Sequence, residues 1–186
     1  MGNHDQVCFS EYGLQSLFGV DDLYYSINVE GVHFIFLFSR ITVPPHSHAI
    51  IPEEQLDWLT DDLEKTELPA IVFMHHSLAD QDLGGNFWFA ESPEECLVDN
   101  RRRVRSVLAE SGKVLAIVNG HLHWNRVDMH DGLPYISVQS LVENVNNDGT
   151  PAGAYTLLEV DRNTMVLKVF GADRFRYAHT RETMDG

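Results

Sequence analysis

The sequence is 186 residues long, 44% apolar and 22% charged, which are the proportions of a globular domain with one hydrophobic core. Its formal net charge of −15 argues against broad binding to nucleic acid or to an anionic membrane, because both attract basic patches. No apolar run approaches the ~18 residues of a membrane span. The two cysteines, Cys8 and Cys96, are too few for a disulfide framework, so we expect a cytoplasmic location.

The first predicted elements are the two strands of a hairpin. Residues 23–28 and 32–39 flank the Glu-Gly pair at 30–31, which is typical of a tight turn. After the Pro-rich breaker at 42–45, Pro52 opens a helix whose leucines recur at spacings of three and four. These leucines are Leu56, Leu59 and Leu63.

Two buried strands and a second helix are predicted next. The run 69–74 is short, apolar and uninterrupted, as expected of a strand buried on both faces. An irregular stretch at 77–92 precedes a helix at 93–111 that ends at Gly112. Residues 114–118 form the second buried strand.

The last third of the chain predicts strands joined by turns. The order strand–helix–strand–helix–strand, followed by antiparallel strands, predicts a layered α/β sandwich. We expect residues 1–186 to form a single domain. The late strands are 124–129, 135–138, 155–160 and 165–170, with turns at 131–132 and 161–163.

The basic residues cluster in the second predicted helix. A solvated helix face with internal ion pairs explains this cluster better than a phosphate-binding patch. An acidic protein that acts on an anionic substrate would therefore need bound metal ions as its local positive charge. The clustered arginines are Arg101, Arg102, Arg103 and Arg105.

Metal-ligand residue types concentrate in three short segments. Ligand sites in open α/β sheets collect beyond the carboxyl ends of strands, where two of the segments lie. Each segment alone is a weak signal, since an isolated His-x-His is more often structural. Histidines two residues apart point to opposite faces of a strand, but both could reach metals from a turn. The segments are Gly2-Asn3-His4-Asp5, His75-His76 and Gly120-His121-Leu122-His123.

The motifs GNHD, HHS and GHLH, in this order and at these separations, resemble the last three motifs of the calcineurin-like metallophosphoesterases. The segment IPEEQLDWL resembles the helix that precedes the middle motif. The cyclic-nucleotide phosphodiesterase-like and ADP-ribose pyrophosphatase-like branches look most similar. The resemblance implies a layered α/β/β/α-type sandwich. It also implies hydrolysis of phosphodiesters or pyrophosphates by a hydroxide that two metal ions activate.

The resemblance also assigns roles to the residues of these motifs. His4 would stabilise the transition state or protonate the leaving oxygen, with Asp5 fixing its tautomer. His76 follows a ligand position and is expected in the pocket wall or outside the ligand set. The complete site holds two divalent ions, Mn, Fe or Zn. The implied ligands are Asn3, His75 and His121 for one ion and His123 for the other.

The chain departs from the family pattern at its front. The family has earlier Asp-x-His and Gly-Asp-x-x-Asp motifs that supply the bridging carboxylate, and nothing before Gly2 provides them. The histidines at 46 and 48 lie in a Pro-rich loop and are not expected to substitute. We therefore expect the amino-terminal part of the fold to be missing and the chain alone to bind one ion or none. An uncovered sheet edge would then invite a homodimer.

These patterns lead to two functional hypotheses. The first is a metal-dependent phosphoesterase that acts on a phosphate-ester small molecule such as a nucleotide. The aromatic residues at 87–89 could stack on a base or belong to the core, and the sequence leaves both open. The alternative is a catalytically inactive folded remnant that binds at most one metal ion.

Overall fold

The computed structural model of the chain describes residues 1–42 and 48–181. No helix in these ranges is both long enough and apolar enough to cross a bilayer. A 3₁₀ turn at Pro93–Glu95 precedes the last helix. The helices and strands are α1 (Asn3–Cys8), α2 (Glu11–Phe18), β1 (Tyr25–Val29), β2 (Val32–Phe36), β3 (Arg40–Ile41), β4 (Ala49–Ile50), α3 (Glu53–Lys65), β5 (Ala70–Met74), α4 (Arg101–Glu110), β6 (Val114–Asn119), β7 (Arg126–His130), β8 (Leu133–Ser137), β9 (Tyr155–Val160), β10 (Thr164–Phe170) and β11 (Phe175–Thr180).

A six-stranded sheet with the order β1-β2-β5-β6-β8-β7 forms the centre of the fold. Its four inner strands are parallel, and each edge strand is the antiparallel arm of a hairpin. Helices α3 and α4 cover one face, and the three-stranded antiparallel sheet β11-β10-β9 packs on the other. The predicted α/β class is therefore confirmed.

Apolar patterning explains the layers. Strand β6 is buried along its whole length, as its uninterrupted apolar run predicts. In β5, Val72 and Met74 face the helices, whereas Ile71 faces the small sheet, because successive side chains of a strand point to opposite faces. The predicted leucine stripe of α3 is buried against this sheet.

Two of the three predicted turns are two-residue hairpin turns. Glu30 and Gly31 have φ of 48° and 80°, and Asp131 and Gly132 have φ of 52° and 78°. Two central residues with positive φ match the right-handed twist of the flanking strands. These turns fix the register of β1 on β2 and of β7 on β8.

The prediction of one helix over 93–111 is wrong. After the 3₁₀ turn the chain is extended, where Leu97 pairs with Ser77 and Val98 pairs with Ala49. The Asn100 side chain then bonds both the N–H and the C=O of Ile51. Pairing with distant backbone therefore outweighs local helix propensity until α4 begins.

Three arginines of the α4 cluster are ion-paired, but with residues outside the helix, and Arg105 is buried, so the predicted solvated face with internal pairs is wrong in these respects. Arg101 and Arg105 both contact Asp80, and Arg103 contacts Glu53. Burial raises the pKa of Asp80, but its hydrogen bonds to the two arginines outweigh burial and bring that pKa to about 2.

Several elements are absent from the sequence-based predictions. Helices α1 and α2 precede the first predicted strand, and β11 follows the last. His179 lies in β11. His46 lies outside the described residues, whereas His48 Nδ1 lies 2.9 Å from Asp99 Oδ1.

Candidate metal centre

The three histidine-bearing segments meet at one edge of the central sheet. Strands β5 and β6 are adjacent and parallel, so the residues that follow Met74 and Asn119 leave the sheet side by side. The start of α1 reaches the same place, since a Cβ at Gly2 would lie only 2.7–2.9 Å from ring atoms of His75. Glycine is required there because no larger residue allows this approach.

Three of the four predicted metal ligands converge. The Nε2 atom of His75 lies 2.9 Å from Asn3 Oδ1 and 3.0 Å from His121 Nδ1. Two ligand atoms that bind one ion at right angles, each about 2.1 Å away, would be about 3.0 Å apart. The spacing of these atoms therefore suits a shared ion.

His76 joins this group more closely than its predicted place in the pocket wall implies. It is buried, its Nδ1 lies 2.6 Å from Ser39 Oγ, and its ring centroid lies 4.4 Å from that of His121. Ring nitrogens of His75, His76 and His121 all lie within 4.8 Å of one another. A second consecutive histidine in the HHS motif was the available sequence signal.

Burial keeps these imidazoles neutral. Desolvation, followed by the charge of His121, lowers the pKa of His75 to about 3 and that of His76 to about 2. Desolvation also lowers the pKa of His121 to about 4, against a small opposing effect of the Glu95 carbonyl. Neutral imidazole is the form that binds metal, so no proton has to leave at pH 7.

The GHLH segment forms a strained turn. His121 and His123 have φ of 64° and 52°, and the Leu122 N–H donates to Gly120 C=O over 2.7 Å. An i to i+2 bond around a residue with positive φ is a γ-turn of the rare, strained kind. Such strain costs on the order of 1–3 kcal/mol per residue and is typical of functional sites.

His123 occupies a separate position from the histidine group. Its ring meets Trp88 edge-on with centroids 4.9 Å apart, and its Nδ1 lies 2.9 Å from Glu143 Oε2. Desolvation lowers the pKa of His123, while Glu143 raises it and a charge on His4 lowers it. The same charge on His4 also lowers the pKa of His75 and His121, so His4 lies within electrostatic reach of the site.

Asp5 has a visible structural contact. Its Oδ2 accepts a hydrogen bond from the Gly2 N–H over 2.8 Å and so fixes the first turn of α1. This bond holds Asn3 and His4 at the site. The predicted orientation of His4 by Asp5 stays a prediction.

Aromatic side chains cover both histidines of the GHLH turn. Phe89 lies 4.7 Å from the ring of His121, and Trp88 lies against His123. Phe87 stacks edge-on to Trp88 and is 59% exposed. The cluster therefore borders the site and is not part of the central core.

The donor set fits one divalent ion better than a bridged pair. Imidazole nitrogens and an amide oxygen are neutral ligands that suit zinc-like ions. Within residues 1–42 and 48–181, one group of three or more histidine, cysteine, aspartate or glutamate ligands is found, and it contains histidines alone. A bridged pair of dications needs carboxylates as well, so these residues by themselves suit a single ion, and the binding of one ion or none stays a prediction.

Comparison with known proteins supports the fold. No protein-family profile and no curated protein matches the sequence. A dimetal phosphatase from Danio rerio is 20% identical with a TM-score of 0.72, over 97% of this chain and 71% of that one. A purple acid phosphatase from yellow lupin (Lupinus luteus) seeds is 13% identical with a TM-score of 0.58, over 87% of this chain and 33% of that one.

A third similar structure is GAP50 of Plasmodium, described as the anchor in the inner membrane complex. It is 13% identical with a TM-score of 0.57, over 87% of this chain and 54% of that one. The chain thus has the fold of the calcineurin-like metallophosphoesterases. At these identities the similarity defines the fold, and activity has to be argued from the site.

Proposed function

We propose that this chain is a metal-dependent phosphoesterase that hydrolyses phosphodiester or pyrophosphate bonds of small molecules. The observation that carries the proposal is the convergence of Asn3 Oδ1, His75 Nε2 and His121 Nδ1 at the carboxyl ends of β5 and β6. Three neutral ligand atoms that converge on one small region can all bind a single cation. Histidines with a purely structural role do not need to converge in this way.

The residues of the site would have separate roles in metal binding and in proton transfer. Asn3, His75 and His121 would hold a divalent ion, Mn, Fe or Zn, with His76 beside them. When bound, such an ion supplies Lewis acidity and the positive charge that an acidic protein needs against a phosphate. His4 is exposed and would pass a proton to the leaving oxygen.

The aromatic border favours a substrate with a flat leaving group, such as a nucleotide. Phe87 is exposed and contacts Trp88, which is half-buried next to His123, and stacking on an aromatic ring is worth about 1–3 kcal/mol per base. A cytoplasmic location, a single domain and a homodimer through the exposed edge strand β1 stay predictions.

Calorimetric titration tests the metal stoichiometry. We expect one tight site per chain for Zn²⁺ or Mn²⁺, because the histidine group lacks a carboxylate to balance a second dication. Two tight sites per chain would contradict this expectation.

Hydrolysis of bis-p-nitrophenyl phosphate in Mn²⁺ tests the activity. His4→Ala should abolish turnover, whereas His179→Ala is the matched control, because His179 lies in β11 of the small sheet. Activity that survives His4→Ala would point to a contaminating enzyme and would remove the support for catalysis.

A catalytically inactive metal-binding remnant is the second candidate. The all-histidine composition of the group favours it, because no carboxylate of the group balances a second dication. One tight metal site without any hydrolysis would identify it.

A further inference from the structure

One carboxylate contacts a predicted metal ligand, and the sequence-based predictions contain no role for it. Glu143 Oε2 lies 2.9 Å from Nδ1 of His123. That nitrogen is buried and has no hydrogen-bond partner with acceptable geometry, so the distance is right but the direction is not yet aligned. The terminal torsion of a glutamate is broad, and the Glu143 side chain is 43% exposed, so its carboxyl group has room to turn beside the ring.

The backbone around Glu143 is held firmly. The N–H groups of Val142 and Glu143 both donate to Ser140 Oγ over 3.2 Å. Next along the chain, the buried Asn144 side chain donates to Thr150 C=O over 2.7 Å and accepts from the Asn146 N–H over 2.9 Å. A mobile surface carboxylate would have no such support.

The ring of His123 is confined on a second side. Trp88 meets it edge-on at an interplanar angle of 79°, and the backbone of His123 is fixed at a φ of 52°. Since Nδ1 lies next to the Glu143 carboxylate, Nε2 is the nitrogen left to face a ligand. A neutral imidazole carries one proton, so the partner of Nδ1 decides whether Nε2 has a free lone pair.

We propose that Glu143 is a positioning residue for His123. Its carboxylate accepts the Nδ1–H of the neutral ring and so selects the tautomer whose Nε2 lone pair is free. Carboxylate partners of this kind orient a metal-binding histidine and raise its basicity. The tautomer assignment stands on the geometry alone, whereas its consequence for metal binding rests on the proposed function.

The carboxylate also adds a negative charge beside a site whose histidine group has none. Glu143 thereby offsets part of the charge of a dication without being one of its ligands. Direct ligation by Glu143 is a different arrangement, and a glutamine variant separates the two. Glutamine keeps a carbonyl oxygen that accepts the Nδ1–H, but it lacks the negative charge that a directly ligating carboxylate would bring to the ion.

Long-range nitrogen–proton correlation spectra of the isotope-labelled, metal-free protein at pH 7.5 test the assignment. We expect the Nδ1–H tautomer of His123 in the unmodified chain and in Glu143→Gln, and a shift toward the Nε2–H tautomer in Glu143→Ala. Glu159→Gln is the matched control, because Glu159 pairs with Lys168 on the small sheet. A structural role alone would leave the tautomer unchanged.

Zn²⁺ titrations monitored by the His123 signals give the second readout, at a weaker site that is separate from the one tight site at Asn3, His75 and His121. Glu143→Ala should weaken binding at His123 by about 10- to 100-fold and Glu143→Gln by clearly less. An Nε2–H tautomer in the unmodified chain, or no change in Glu143→Ala, would overturn the proposal. A glutamine variant as weak as the alanine variant would overturn it in favour of direct ligation. Because the tautomer is read without metal or substrate, absence of hydrolysis would count against the proposed function and not against this assignment.

Discussion

Two buried clusters, one with a single histidine and one with three, lie at opposite ends of the parallel strands. The partners of their ring nitrogens differ. At the start of β2, His33 Nδ1 lies 2.6 Å from Asn28 Oδ1 and its Nε2 lies 2.7 Å from Asp62 Oδ2. Asp62 in turn accepts a hydrogen bond from Ser26 Oγ over 2.9 Å. Every nitrogen of His33 therefore faces an oxygen of the chain itself.

At the carboxyl ends of β5 and β6, ring nitrogens face one another in addition to oxygens of the chain. His75 Nε2 meets His121 Nδ1, and His76 lies beside both rings. Buried polar atoms are normally satisfied by protein partners, and a cluster of neutral acceptors is satisfied best by a cation. The comparison teaches that burial alone does not mark a metal site, whereas lone pairs that converge on each other do.

Removal of a ligand should produce the largest difference between the two clusters. His121→Ala should lower Zn²⁺ affinity by more than about 100-fold, beyond the loss typical of a residue that only orients a ligand. His179→Ala should leave affinity unchanged. Competition with a chromophoric chelator measures both, and equal affinities would remove the distinction between the clusters.

The free energy of unfolding of the metal-free protein should depend more on the His33 cluster than on the group that contains His75. His33→Ala should reduce the free energy of unfolding by about 2–4 kcal/mol, because it creates a cavity and leaves Asp62 and Asn28 without their partner. His75→Ala should cost less in the metal-free protein, since its ring has no carboxylate partner to abandon. Urea unfolding of both variants makes the comparison, and an equal loss would contradict it.

Acid should destabilise the metal-free protein through the buried group of His75, His76 and His121. The pKa values of His75, His76 and His121 are lowered from 6.5 to about 3, 2 and 4. Between these values and 6.5 the unfolded chain binds more protons, so stability falls as pH falls below 6.5 and is flat above it. The loss from pH 7 to pH 5 should be about 2 kcal/mol per histidine. Urea unfolding across this range measures it, and His121→Ala should flatten the slope.

The smallest effect concerns the aromatic border. Trp88→Ala should raise KM for a nucleotide ester by about 5- to 10-fold, equivalent to about 1 kcal/mol of stacking, with little change in kcat. Tyr155→Ala on β9 serves as the control, because Tyr155 is exposed on the small sheet. An unchanged KM would assign Trp88 to packing against His123.

Local patterns in the sequence were enough for the main elements of the fold. The leucine spacing of α3, the apolar runs of β5 and β6 and the turns at 30–31 and 131–132 each carry their own signal within a few residues. The elements that were missed are short or weakly patterned, such as α1 with six residues and no buried side chain. The break before α4 depended on pairing with residues 20 or more positions away.

For the site, the sequence by itself determined which segments bear ligands, because residue type and the end of a buried strand are local properties. Only the tertiary structure decided that His76 joins the group, that Trp88 closes one side of His123 and that Glu143 reaches its Nδ1. Those contacts join residues far apart in the chain, and their existence depends on how two sheets and several loops dock. Docking follows from the burial of many side chains at once, so no short stretch of sequence encodes it.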